Sequence, residues 1–471
     1  MLHIGLGQFL HGITPTAMYL AMWVAAILGL VWKPSAPLYV LIPMLPLETI
    51  RAKVIPMPLG SHFIEILLFA SLLGIWLHSP APRLLKNPLN RVIIALVVVT
   101  FLCLVLGSFY LGVPLAFSNA DPRFAAWFDY MLMPLTFVAV LGAIRTRREI
   151  TILMVLMMLS AAWVARDANA NIGQHSQAVF NENSRNAGPL GFAGANGTAV
   201  FLAQIEALAL GALLFCKKWR MRIAWAALFG IGMYGLVYSY SREAYLGFLA
   251  AVVFLGVTRK RILLVGVVAL LLAWRVVLPA SVQQRIEMTY SGGAAAGSYV
   301  QPGGGKELDA SSAERIALWK DALAMWAHEP VFGAGFETFA FVPHLDGLRD
   351  THNYYVKSLA ETGTIGFVVF VWILATMYWL GWRLAKLSEE PFWSGFGLAF
   401  AASVVCVTVA NFFGDRWTYF QVDAFLWALA AIAVRGWWLA RAARSGPVAG
   451  EVLETAAGGQ LAPTASGAVW R

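Results

Sequence analysis

Unbroken apolar stretches of about 18 residues or more follow one another along almost the whole chain, separated by short basic turns. Each is long enough to cross a bilayer as a helix. The segments 13–31, 60–77, 91–113, 124–143, 150–165, 191–215, 223–240, 244–257, 262–279, 354–382, 396–413 and 420–434 predict about twelve transmembrane helices. Outer-membrane barrels show short alternating segments instead, so the pattern predicts an all-α polytopic membrane protein. A short Pro-rich segment, 37–50, is left as a partial or re-entrant piece. Counting it as a span would move the N-terminus to the other side of the membrane. The first apolar run has no basic stretch before it and reads as a retained span, not a cleaved leader.

Composition agrees with the pattern. Of 471 residues, 59% are hydrophobic and 19 are Trp, and the mean hydropathy is +0.69, whereas soluble domains are roughly 45–50% apolar. The formal net charge of +9 would suit nucleic acid if it were spread over one face. Instead the basic residues cluster on alternate turns: Arg83, Lys86 and Arg91; Arg145, Arg147 and Arg148; Lys217, Lys218, Arg220 and Arg222; Arg259, Lys260 and Arg261; Arg383 and Lys386; Arg435, Arg441 and Arg444. That alternation is the positive-inside pattern and marks the cytoplasmic side, so the expected partner is the lipid bilayer and no nucleic acid. Cys103, Cys216 and Cys406 lie in or beside apolar segments and imply core packing, with no disulfide framework.

With the basic turns inside, the outer side receives 118–123, 166–189, 239–243, 281–350 and 414–419. Only the first sixty or so residues remain ambiguous in orientation. The expected organisation is an N-terminal transmembrane bundle (1–280), a large periplasmic loop region (281–352), C-terminal transmembrane helices (353–440) and a disordered, Gly/Ala/Thr-rich cytoplasmic tail (441–471). Within the loop, 290–306 is rich in Gly and Ser and predicts a mobile stretch. Ser311-Ser312-Ala313-Glu314 has capping-box spacing, and Ile316, Trp319, Leu323 and Trp326 then make one apolar stripe. The loop therefore contains an amphipathic helix lying against the membrane. Pro330 ends it, and Gly333 and Gly335 allow the turn back towards Phe336, Phe339 and Phe341.

Chemistry concentrates where that loop re-enters the apolar region. His352, just behind the candidate helix cap Thr351, titrates near pH 6.5 when unperturbed, which suits proton abstraction from a hydroxyl; the alternative is a hydrogen-bonded boundary residue. Arg242, in Ser241-Arg242-Glu243, sits between two spans with almost no loop. It reads either as an anion site or as a partner of Glu243 or an interfacial cation. Arg315, in the first turn of the loop helix, either points into the same outer space or is a solvated charge. Arg185 precedes a Gly-rich lead-in to a span (Gly191, Gly194, Gly197) where backbone N–H groups can approach a ligand, or else belongs to a polar loop. Glu361 either orients polar groups or is a buried, capped carboxylate. Asp415 and Arg416, adjacent at another outer turn, read as structural. Several Arg and one His on the outer face of an apolar bundle suit a diphosphate-lipid substrate, the Arg holding the diphosphate and the His taking a proton from the attacking hydroxyl. No cofactor or metal is expected: there is no Asp-x-Asp pair, Glu307-Leu308-Asp309 is a weak substitute, and there is no P-loop.

In order along the chain, Gly191-Phe192-Ala193-Gly194-Ala195-Asn196, Ser241-Arg242-Glu243-Ala244, Arg315 with Trp319, Pro330-x-x-Gly333-x-Gly335, His352-Asn353-x-Tyr355 and Glu361-x-Gly363 resemble the O-antigen ligase and polymerase superfamily of bacterial envelope glycosyltransferases. The resemblance spans roughly 188–370. It implies a twelve-span fold in the bacterial inner membrane and a metal-independent, inverting transfer of a glycan from undecaprenyl diphosphate to an acceptor on the periplasmic face. It implies Arg242 and a second Arg as diphosphate ligands, His352 as base or acceptor-positioning group, and Asn353, Tyr355 and Glu361 beside the substrate. Two departures stand out: Glu243 replaces the small residue usual after the motif Arg, and the Gly-rich stretch lacks the usual Asn-Pro-Asn run. A ligase with a lipid A-core acceptor is preferred. A repeat-unit polymerase with a glycan acceptor follows, then a protein glycosyltransferase. A lipid-linked glycan flippase is the rival from another class, disfavoured by the lack of internal repeats and of midplane charge.

Overall fold

The structure, a computed structural model, describes residues 2–78, 87–170, 172, 178–181, 185, 187–288, 310–344 and 350–444; the side chains of 2–13 and 310–313 fall outside that description. The predicted basic cluster at Arg83 and Lys86, the Gly/Ser-rich stretch 290–306, Glu307-Leu308-Asp309, the capping box at Ser311 and the tail from 445 therefore lie wholly or partly outside the described residues.

Among those residues the secondary structure is helical, with no strand. The helices are α1 (Leu2–Val31), α2 (Ala36–Met44), α3 (Glu48–Arg51), α4 (Phe63–His78), α5 (Pro88–Leu111), α6 (Pro122–Ala143), α7 (Arg147–Asn169), α8 (Gly194–Phe215), α9 (Trp219–Val237), α10 (Arg242–Thr258), α11 (Ile262–Val277), α12 (Ala280–Glu287), α13 (Ala310–His328), α14 (Tyr354–Leu387), α15 (Pro391–Ala410) and α16 (Phe420–Arg444). All twelve predicted spans coincide with helices. Nine of the helices described are long and apolar enough to cross a membrane, and α11 with α12 qualifies only as a pair bent by 107°. The shortfall from twelve has physical causes. α10 has only 17 residues, and Arg220 and Arg222 in the first turn of α9 lower its hydropathy.

Local chemistry sets several helix starts. The Asn87 side chain accepts from the N–H groups of Leu89 and Asn90 ahead of Pro88. Asp121 caps α6 ahead of Pro122. Thr146 and Glu149 form a reciprocal capping box on α7. α14 is capped by Asn353, whose side chain accepts from Tyr355 and Val356 N–H; Thr351, the expected cap, instead donates its hydroxyl to the Asn353 carbonyl at 3.0 Å. Tight packing surrounds α15 and α16, which lie among α6, α8, α10 and α14. Most of α16 is buried, including Trp427 and Phe425, while α1, α5 and α11 carry many exposed apolar side chains. Solvent alone would not tolerate that surface; a bilayer does, and the protein is a multi-pass membrane protein.

The bundle has two distinct ends. At one, Lys33 pairs with Glu149 (2.9 Å) and the His78 ring contacts the Leu30 carbonyl (2.7 Å). This is the end of the basic turns. At the other, Glu48 accepts from Phe192 N–H (3.1 Å) and from the Gln421 side chain (3.0 Å). Residues 34–51, through the buried Leu38, Leu41, Ile42 and Leu45, thus run from one end to the other. The Pro-rich piece left out of the predicted spans is a traversing segment, and α1 begins at the end opposite the basic turns.

The loop helix α13 also differs from expectation. Its buried side chains are Leu318, Ala322 and Met325, packed on Ala334, Phe339 and Ala360, whereas Leu323 is exposed. Trp319 and Trp326 lie at the edge because their indole N–H groups donate to the Thr351 carbonyl (2.9 Å) and the Thr364 hydroxyl (3.2 Å); a polar handle keeps an indole at a boundary.

Candidate active site

Re-entry of the loop is held by a clasp on α14. That helix breaks at Gly363, with φ +65°, which frees carbonyls that an unbroken helix would consume. Ala334 and Gly335 N–H donate to the Ala360 and Glu361 carbonyls (2.8 and 3.0 Å), and Thr364 and Ile365 N–H donate back to Pro330 and Val331 (2.9 and 3.2 Å). A Cβ on Gly335 would lie 2.1 Å from the Gly107 Cα, so only glycine lets the loop close on α5. The Glu361 side chain accepts from Phe339 N–H at 3.2 Å. The motifs Pro330-x-x-Gly333-x-Gly335 and Glu361-x-Gly363 therefore meet in space and fix the chain that leads to His352.

His352 lines a cavity of about 650 Å³ at this end, together with Asp350, Glu337, Lys357, Asp415, Tyr419 and a charged group from earlier in the chain, Arg51 with Glu48, Glu65 and Asp129. Asp350 grips the histidine twice. Its Oδ1 accepts the His352 backbone N–H (2.9 Å) and its Oδ2 lies 3.3 Å from Nδ1, an ion-pair distance rather than a formed hydrogen bond. The backbone of His352 is left-handed, with φ +51°. Non-glycine residues rarely adopt this, at a cost of about 1–2 kcal/mol. The four described non-glycine residues with positive φ are Leu59, Tyr240, Glu337 and His352; Glu337 and His352 line the cavity, and Leu59 precedes Gly60 in its wall. Strain gathered at one place is a mark of a functional site.

Electrostatics tunes the imidazole. Burial pushes the His352 pKa below its ordinary value, Arg315 and Arg416 push the same way, and Asp350 opposes them. The ring is therefore neutral at neutral pH and able to accept a proton. Burial would raise the Asp350 carboxyl, but His352, Arg416 and Lys357 hold it below the usual carboxylate range. Burial pushes Asp415 up to about 6, against the pull of Lys357. Burial disfavours the charge on Arg416, yet Glu243, Tyr419, Asp350 and Asp415 more than offset it.

The predicted arginines divide. Arg315 donates to the Phe413 carbonyl (3.1 Å) and acts on both His352 and Glu243. Arg185 donates to the Ser239 carbonyl (3.2 Å) and to the Asn196 side chain, and it too acts on Glu243. Arg242 is half-buried at the start of α10 and is not among the charges acting on His352. Glu243, the departure from the motif, is buried and faces Arg416 Nε at 3.6 Å. Asn353 caps α14, and the Tyr355 hydroxyl donates to the Thr408 carbonyl (2.8 Å) while its ring stacks on Phe412 at 3.9 Å. Sequence reasoning missed Arg51, Asp350 and Lys357, and it read Arg416 and Asp415 as structural. Lys357 offered a signal: a cation one turn inside a span is held between Glu337 and Asp415 at 2.9 Å each, as intramembrane charges usually are paired. Among the described residues, no three His, Cys, Asp or Glu side chains are placed to share a metal ion.

The cavity thus brings His352 and Asp350, from the end of the loop, together with Arg51 from far along the chain, while Arg315 and Arg416 act on the imidazole without lining that cavity. Residues 226–371 match the O-antigen ligase family model. The match bears out the superfamily that the ordered motifs resemble. The O-antigen ligase segment runs from α9 into α14 and contains Arg242, Glu243, Arg315, Asp350, His352 and the α14 clasp, whereas Arg51, Arg185 and Arg416 are brought to the site from outside it. No curated protein matches the chain.

Proposed function

We propose that the protein is a metal-independent, inverting glycosyltransferase of the bacterial inner membrane. It moves a glycan from undecaprenyl diphosphate to an acceptor hydroxyl on the periplasmic face, with the lipid A core as preferred acceptor. The observation that carries this reading is the neutral, Asp-gripped His352 on the wall of a 650 Å³ cavity at the end opposite the basic turns. His352 takes the proton as the acceptor oxygen attacks the anomeric carbon. The bond from that carbon to the diphosphate breaks, and undecaprenyl diphosphate leaves with the electron pair. One displacement inverts the anomeric centre. Arg242 and Arg315 are proposed to hold the diphosphate, with Arg51, which lines the cavity, as a further contact; guanidinium forks match phosphate oxygens, and stabilising the leaving charge is commonly the largest catalytic term. Arg185 supports this field through Asn196 and Glu243. Asn353, Tyr355 and Glu361, proposed beside the substrate, act by holding the backbone that carries His352. Reconstitution of the full chain with undecaprenyl-diphosphate glycan and purified lipid A core, in chelator, tests the reading. Transfer to the core that is lost in His352→Ala is expected. Absence of transfer to the core, or transfer only onto a second lipid-linked glycan, would overturn the ligase assignment.

A further inference from the structure

At the basic end, far from His352, α14 and α16 enclose a groove of about 420 Å³ lined by Trp379, Arg383, Leu387, Trp437, Arg441 and Arg444. Among the described residues no carboxylate lines it, and Glu390, in the following turn, is engaged by Arg147 of α7 at 2.7 Å. The two indoles meet edge to face at 6.0 Å, and each carries a guanidinium: Arg383 over Trp379 at 5.6 Å and Arg441 over Trp437 at 4.8 Å. Stacking on an indole fixes a guanidinium plane, and a fixed guanidinium fork matches phosphate oxygens. Topology signalling alone asks only for positive charge in a turn; it does not ask for a concave site with paired Trp walls.

A second observation says what occupies it. The exposed face of α14 reads Ile365, Val368, Trp372 and Trp379 and then ends in Arg383. One continuous stripe thus runs from acyl-chain depth to the groove, over about 27 Å at 1.5 Å per residue. We propose that this groove binds an acidic phospholipid, its phosphate held by Arg383, Arg441 and Arg444 and its acyl chains lying along the nearer part of the stripe, Trp372 to Trp379, within one leaflet's depth of about 15 Å. Basic pockets between spans near the membrane surface suit such headgroups.

The test is native mass spectrometry of the full chain in detergent, titrated with phosphatidylglycerol, with phosphatidylcholine and with inorganic phosphate. Retention of phosphatidylglycerol well above phosphatidylcholine is expected. The loss should be roughly twenty-five-fold in Arg383→Glu, a charge reversal at an exposed position, and roughly a hundredfold in Arg383→Gln/Arg441→Gln/Arg444→Gln. Equal binding of the two lipids, or undiminished phosphatidylglycerol binding by Arg383→Glu, overturns the proposal. Competition by millimolar inorganic phosphate overturns the lipid assignment in favour of a soluble anion. The readout does not involve glycan transfer and stands or falls apart from the role given to His352.

Discussion

The two ends of the bundle both concentrate positive charge but use it differently. At the basic end, the cations of the ion pairs stay in contact with solvent: Lys33 is 45% exposed beside Glu149 and Arg147 is 61% exposed beside Glu390. At the other end, Lys357 is 10% exposed between two carboxylates and Arg416 is 8% exposed against Glu243. Exposed pairs are screened and contribute about 0–1 kcal/mol. Buried pairs have surrendered their hydration, so each partner depends on the other, and the cost of breaking one is about 3–5 kcal/mol. The same ion-pair distance therefore marks orientation in the membrane at one end and an organised, water-poor site at the other.

Perturbing the site end should give the largest effects. His352→Ala is expected to lower transfer by roughly 10²–10⁴-fold with an unchanged melting temperature in detergent. Retained turnover would remove the histidine from the chemistry. Lys357→Met leaves the buried Asp415 and the partly covered Glu337 without their cation and should cost about 3–5 kcal/mol of stability, read by thermal unfolding. A loss under about 1 kcal/mol would place Lys357 with the exposed pairs of the basic end.

Acid sharpens the comparison without mutation. Because the His352 pKa is lowered, the neutral base predominates at pH 7, more than for an ordinary imidazole. Activity should hold as pH falls towards the ordinary value of about 6.5 and drop about tenfold per pH unit only below the shifted pKa. An acid limb already developed at pH 7 would contradict the environment described for the ring. Arg242→Lys should reduce transfer by about tenfold if its fork holds the diphosphate; full activity would leave that role to Arg315 and Arg51. The smallest effect belongs to the basic end, where Arg147→Ala should change stability by about 0–1 kcal/mol.

Much of the fold was legible in the sequence because membrane insertion is written in local terms. All twelve predicted apolar segments are helices, and the basic turns whose contacts are described gather at one end. The clasp motifs were legible as turns and caps, since glycine at positive φ is a local demand. Their purpose was not, because Gly335 needs its partner Gly107 on another helix, and Thr351 yielded the cap to Asn353 only once the re-entering chain was in place. The traverse of 34–51 was missed for the same reason: nine residues of α2 are too few for a span by length, and only burial against α1, α4 and α7 shows that they cross.

By itself the sequence determined that this is a helical membrane protein, which of its ends is basic, and that the ligase motifs occur in order, with His352 at a loop boundary. Apolar length and charge bias act residue by residue and need no partner. Only the tertiary structure decided that Asp350 grips His352, that Arg416 and Arg315 stand behind it, that Arg51 lines the same cavity, and that Glu243 turns inward to Arg416. Apart from the Asp350–His352 contact, which a left-handed turn makes locally, these are interactions between segments tens to hundreds of residues apart, and their energies exist only when folding has removed the water between them.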